Sequence, residues 1–202
     1  MEYIDRLHYE DLSGLDPVDV CRRCPCTYDA DKKTYTLTVW GETYCITPGE
    51  YRMHQVGPTA ERGFGYLGLF VIHYLLENQS ITPEEIWISE KEIPGGATFF
   101  RGPHALPTEL IANRFGNDLA AFKTRCETLH GSRLEMGDAA YRFDIVPQVP
   151  VAVLYWCGDE EFPAEAKLLF DRSIGRTLAA DVVYALAVGV CERLGEVPNG
   201  QA

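Results

Sequence analysis

Three short stretches of this chain carry side chains that could do chemistry. The first is Cys21-Arg22-Arg23-Cys24-Pro25-Cys26, with eighteen residues separating Cys26 from Cys45. Four thiolates suffice for tetrahedral zinc or an iron–sulfur cluster, and C-x-x-C spacing lets two sulfurs reach one metal. Arg22 and Arg23 would help by lowering thiol pKa values. Against this, the C-x-C pair departs from common cluster spacings, and Cys45 falls in a strand whose pleat fixes its direction. The competing reading is a helix end with three ordinary thiols.

The second stretch, Phe99-Phe100-Arg101-Gly102-Pro103-His104, joins aromatic surface, a guanidinium and an imidazole after the Gly95-Gly96 hinge. Arg101 would clamp a carboxylate or phosphate, and His104 would act as acid, base or metal ligand. A loop anchored by buried rings, with Arg101 paired to an acid, is the plainer alternative. The third stretch is Gly158-Asp159-Glu160-Glu161-Phe162-Pro163, where an apolar strand releases three carboxylates into a turn. Such a loop can hold a hard cation or position a base; equally, it is a solvated acidic turn. The candidate ligand-binding residues are therefore Arg101, His104, Asp159, Glu160 and Glu161. The candidate metal ligands are Cys21, Cys24, Cys26 and Cys45. Of the other cysteines, Cys126, Cys157 and Cys191 read as structural. His73 lies in an apolar segment and reads as a satisfied core histidine.

Gly63-Phe64-Gly65-Tyr66-Leu67-Gly68 fits G-x-G-x-x-G, but Val56 to Arg62 before it reads as a loop, where a dinucleotide site needs a strand. These glycines are expected to permit close packing of a central helix.

The elements that must position these residues follow from periodicity. Residues 1–20 predict a helix or two, punctuated at Asp16-Pro17. Thr34 to Trp40 alternates and predicts a strand, turning at Gly41-Glu42 into a second strand over Thr43–Thr47. Phe64 to Glu77, apolar on every side, predicts a buried central helix. Residues 82–85 read as a short helix or turn, and 86–89 as a strand or helix end. Two helices are expected over 107–115 and 117–130, with Asn117 capping the second. Strands are expected over Asp138–Val146 and Val149–Cys157, while Glu165–Phe170 fits either state. Thr177 is expected to cap a final helix, Leu178–Leu194. Strands cluster instead of alternating with helices. The fold class is thus α+β, an antiparallel or mixed sheet packed with a central and a C-terminal helix. One domain over residues 1–195 and a tail at 196–202 follow from the length.

Composition sets the outer limits. The chain has 202 residues, 46% hydrophobic and 24% charged, enough apolar content for a core without disulfides. Its net charge of −12 and lack of a basic stripe argue against a nucleic-acid partner. Met1 to Arg6 shows no export signal, and the longest apolar run, Val182–Cys191, is short of the roughly 18–20 residues of a bilayer span. The expectation is a cytoplasmic protein with no membrane partner, whose partner is a small molecule or another protein.

Several motifs together resemble a known family. They are Ile93-Pro94-Gly95-Gly96-Ala97-Thr98-Phe99-Phe100, Val149-Pro150 with Val151 to Trp156, Gly158 to Ala164, Leu169-Phe170-Asp171 and His73-Tyr74-Leu75-Leu76. The family is an uncharacterised one, labelled a domain of unknown function and numbered 3786, mainly from anaerobic bacteria and archaea. The acidic motif is the most specific part of the likeness. Some relatives are joined to a cysteine-rich iron–sulfur module of the sort seen in corrinoid proteins. The resemblance thereby implies an accessory role in anaerobic one-carbon or redox metabolism. Cys21, Cys24, Cys26 and Cys45 do not reproduce that module's spacing, and the family supplies no catalytic residues to carry over.

The leading expectation is a domain that binds a small ligand or metal cofactor between the Arg101–His104 and Asp159–Glu161 loops. The alternatives are a zinc or iron–sulfur protein using the early cysteines, an enzyme (hydrolase or transferase) with His104 as acid–base, and a pure interaction module.

Overall fold

In the computed structural model, which describes residues 4–56, 65–80 and 82–196, the chain opens with two short helices, α1 (Arg6–Ser13) and α2 (Pro17–Arg23). Asp5 and Asp16 start them, each carboxylate accepting the N–H two residues on at 3.0 Å. Pro17 occupies the first turn of α2, where its missing N–H costs nothing.

Alternating side chains then build a four-stranded antiparallel sheet of β1 (Cys26–Asp29), β2 (Thr34–Val39), β3 (Glu42–Thr47) and β4 (Arg52–Val56), in that order. The β2–β3 turn falls on Trp40 and Gly41, one residue earlier than Gly41-Glu42, with φ of 48° and 78°. A two-residue hairpin of matching twist needs positive φ at both positions, which explains Gly41. Trp40 tolerates the conformation because its surroundings hold it there. Its N–H donates to the Ile145 carbonyl (2.7 Å), its indole N–H to that of Leu129 (3.0 Å), and the Arg193 guanidinium lies 4.7 Å from its ring.

Helix α3 (Gly65–Glu77) follows, with Leu67, Phe70, Val71, Ile72, Tyr74 and Leu75 all buried, as its all-round apolar sequence requires. The second sheet is also antiparallel. It orders β5 (Trp87–Ile88), β9 (Glu165–Asp171), β8 (Val149–Trp156), β7 (Ala139–Val146) and β6 (Ser132–Leu134) side by side. Between β5 and β6 run α4 (Gly96–Phe99), α5 (Glu109–Phe115) and α6 (Leu119–Thr128); α7 (Ala180–Gly195) ends the fold. The architecture is α+β, with a buried central helix and a C-terminal helix. Leu37 and Ile46 of the first sheet share one continuous core with Phe143, Val153 and Phe170 of the second and with Val190 of α7.

α3 and α7 pack closely at Gly189. A Cβ there would stand 2.5 Å from Leu67 Cγ and 3.1 Å from its backbone nitrogen, so a larger residue would force the two helices to shift. Gly68 is buried in α3, in line with a packing role for glycine, while Gly63 and Phe64 lie outside the described residues. So does most of the 196–202 tail.

Two expected caps fall elsewhere. Asp118, not Asn117, caps α6 by accepting the Ala121 N–H at 2.9 Å; Asn117 Oδ1 accepts the Gly158 N–H instead. Ala179 precedes α7 in place of Thr177, whose hydroxyl donates to the Ser173 carbonyl in a preceding 3-10 turn. Glu165–Phe170 is strand, and residues 82–86 take no regular structure. Cys126 and Cys191 are fully buried, whereas Cys157, just past β8, is half-exposed. Among the described residues no helix is long and apolar enough to cross a membrane.

Candidate ligand-binding groove

The first sheet turns one face to the core and, among the described residues, leaves the other without a covering layer. Tyr35, Leu37 and Val39 of β2 and Tyr44 and Ile46 of β3 point inward, so the residues between them point outward. Register then lines up the outward residues of four strands. Asp29, Thr34, Thr47 and Arg52 form one cross-strand row, and Thr27, Thr36, Cys45 and His54 the next. β-branched threonine favours a strand and stands short above it, leaving room over the sheet.

That room is a half-open groove of about 510 Å³, lined by Thr34, Thr36, Cys45, Thr47, His54 and charged groups at its rim. At one side Asp29 accepts the N–H groups of Asp31 and Lys32 at 3.0 Å each and pairs with Lys32 Nζ at 3.6 Å. The Lys32 amide, the largest influence, holds the Asp29 carboxyl below the usual range. At the other side Arg52 pairs with Glu50 at 3.6 Å. On the floor, the Thr34 and Thr47 hydroxyls share a hydrogen bond of 2.8 Å, and Thr36 Oγ1 lies 3.7 Å from Cys45 Sγ. His54 faces Cys45 directly across the ladder; its Nδ1 is buried and has no hydrogen-bond partner among the described residues. A buried polar atom left unsatisfied is costly, so the ring gains wherever a turn brings that nitrogen to a partner.

The residues singled out by sequence sit in three other places. Arg101 is exposed and has no side-chain partner among the described residues. His104 is exposed at the end of a 3-10 turn, stacked on Phe99 with centroids 4.5 Å apart and edge-on to Tyr184 of α7. The Tyr184 hydroxyl donates to the Pro103 carbonyl (3.2 Å), tying this loop to α7.

Asp159 Oδ1 instead accepts the N–H groups of Glu161 and Phe162, both at 2.8 Å, which keep its carboxyl below the usual range. The loop hangs from Asn117 and, through the Cys157 N–H, from Asp138. Glu160 and Glu161 are exposed. No hydrogen bond or ion pair among the described residues joins this loop to Arg101 or His104.

The early cysteines are not brought together as a set of four. Cys26 lies opposite Leu37, and Leu37 opposite Tyr44, so Cys26 shares the inward face with Tyr44. Cys45, the next residue, therefore points out of the far side of the sheet. Cys24 is buried and its thiol donates to the Tyr74 carbonyl (3.3 Å), with burial pushing its pKa up to about 11. Among the described residues, no group of three or more His, Cys, Asp or Glu side chains could hold a metal ion.

His73 is satisfied as expected, but half-buried and not in the core: its Nδ1 meets Glu77 at 2.8 Å, and its ring packs on His8.

A family model described as Domain of unknown function (DUF3786) matches residues 16–193. No match was found among curated proteins or among solved structures.

Proposed function

The chain belongs to the DUF3786 family, a domain of unknown function, and for this member we propose a small-ligand-binding role seated on the threonine face of the first sheet. One observation supports it above the others. A groove of about 510 Å³, within the usual size of a ligand site, is lined by three threonine hydroxyls and by His54, whose Nδ1 has no hydrogen-bond partner among the described residues. Its lining is more polar than a typical apolar pocket, which selects against greasy ligands. Its rim mixes Asp29, Asp31 and Glu50 with Lys32 and Arg52, which favours a hydroxylated or zwitterionic molecule over a simple anion.

Nuclear magnetic resonance of the labelled chain against free amino acids, hydroxy acids and monosaccharides tests this. Amide shifts gathering at Thr34, Thr36, Cys45, Thr47 and His54 are expected for at least one class. Thr36→Val and His54→Ala should each weaken that response at least about tenfold, the scale of one lost hydrogen bond to a buried group. Shifts gathering at Arg101 and His104, or none across the panel, would overturn the placement.

A further inference from the structure

Cys21 and Cys26 belong to different elements, yet a tight turn brings them together. Cys21 lies in the last turn of α2 and Cys26 opens β1. Cys24 ends the helix, its N–H closing on the Val20 carbonyl at 2.9 Å, and Pro25 cannot extend it. The Cys26 N–H then donates to the Cys24 carbonyl at 2.7 Å, a reversal that returns the strand's first side chain over the helix. The two sulfurs end 3.5 Å apart, with the Cys26 thiol donating to Cys21 Sγ. Both residues are half-buried, so a small reagent can reach them. The spacing C-x-x-C would pair Cys21 with Cys24, but the Cys24 thiol is turned into the core against Tyr74.

We propose that Cys21 and Cys26 form a reversible dithiol–disulfide pair that exchanges with low-molecular-weight disulfides, with Cys24 outside the exchange. Closing the bridge requires the sulfurs to approach by roughly 1.5 Å, within reach of a side-chain rotation. In the first step the Cys21 thiolate attacks one sulfur of the small disulfide. The S–S bond breaks, and one small thiolate leaves and takes up a proton. In the second, the Cys26 thiolate attacks the Cys21 sulfur of the mixed disulfide and expels the other small thiolate, which is also protonated. The protein loses two protons and two electrons, and one small disulfide becomes two small thiols. Burial, then its hydrogen bond to Cys21, pushes the Cys26 thiol strongly up and keeps it protonated, so the first attack falls to Cys21.

The pair sits at a structural junction. Arg23 donates to the carbonyls of Asn78 (2.7 Å) and Leu75 (3.3 Å) at the end of α3. A bridge would stiffen the α2–β1 turn that Arg23 ties to the central helix, on the face of the sheet opposite the groove.

The test equilibrates the full chain under nitrogen in buffers of reduced and oxidised glutathione, then alkylates and maps the thiols by mass spectrometry. One intramolecular bridge, Cys21–Cys26, is expected. Cys45 and Cys157 should take only mixed disulfides, in buffers at least about tenfold more oxidising. Cys24→Ser should leave the bridge intact, and Cys26→Ser should trap glutathione on Cys21. A Cys21–Cys24 bridge would overturn the proposal. So would mixed disulfides on every half-buried cysteine of the unaltered chain without any bridge, a result that requires no variant to fold.

Discussion

The two sheets are built alike and finished differently. Both are antiparallel, and each gives one face to the common core. On the outer face of the second sheet, Ala140, Ala152 and Leu154 are buried beneath Trp87, Leu134, Met136, Trp156 and Leu169, and Lys167 reaches over the Trp156 ring at 5.4 Å. Large side chains folded over small ones close that surface. The first sheet has threonines, Cys45 and His54 in the corresponding position, none long enough to cover its neighbours. A sheet that covers itself adds stability, whereas one floored with short polar groups leaves a groove. The second sheet should thus govern folding and the first recognition.

That contrast is most directly broken by comparing one residue from each. Phe170 of β9 is fully buried in the core. Phe170→Ala should lower the unfolding free energy by about 3–5 kcal/mol, from lost transfer energy plus the cavity left behind. Thr36→Val, in the groove, should change it by no more than about 0.5 kcal/mol. Urea unfolding of the two variants decides the matter; similar costs would mean the groove face is as structural as the core.

Next in size is the joint between α3 and α7, which supports both sheets. Gly189→Ala places a methyl against Leu67, where the backbone of α3 and not only a side chain must move. Overpacking of this kind should cost about 1–3 kcal/mol, seen as a lower urea midpoint with an unchanged slope. The glycines of G-x-G-x-x-G suggested a close helix approach in the sequence, but the residue that permits it lies on the partner helix. Its all-round apolar sequence identified the right helix; only the packing shows which glycine matters.

A buried carboxylate on the second sheet gives a pH-dependent test. Asp171 is almost fully buried, and burial by itself opposes its ionisation. Hydrogen bonds from Ser173 and from the Glu84 and Glu85 amides, at 2.7–3.0 Å, outweigh burial and hold the carboxyl below its ordinary range. A folded-state value below the unfolded one means the contribution is present above about pH 4 and is lost as pH falls through the folded value. Asp171→Asn should therefore cost about 1–3 kcal/mol at pH 7, with the gap to the unaltered chain narrowing below about pH 4. A gap independent of pH would show that the charge contributes nothing beyond its shape.

Much of the fold was legible because hydrophobic pattern, alternating or unbroken, marks its elements. Thr34–Thr47 alternates as paired half-buried strands do, while Phe64–Glu77 and Val149–Cys157 are apolar throughout, the mark of buried elements. Caps were less legible, since Asn117 and Asp118 offer the same chemistry one residue apart and only the Ala121 amide chooses between them. The short strands β1, β4 and β6 have too few residues to establish alternation. The groove was hidden for a further reason. Thr36, Cys45 and His54 are separated by eight residues at each step, and only the strand register aligns them. The polar half of the alternation was visible throughout, and an outward row of threonines was its one sequence signal.

The smallest expected effect sharpens the comparison at the end of β8. The Asp159–Glu161 loop carries three carboxylates, yet Asp159 spends its side chain on the amides of its own turn. Asp159→Ala should loosen that turn while leaving the response of Thr36 and His54 to any groove ligand unchanged. Its melting temperature should shift less than that of Phe170→Ala, Gly189→Ala or Asp171→Asn. Should Asp159→Ala weaken ligand binding as His54→Ala does, the division of labour between the sheets fails, because a loop of the second would then be acting on the ligand of the first.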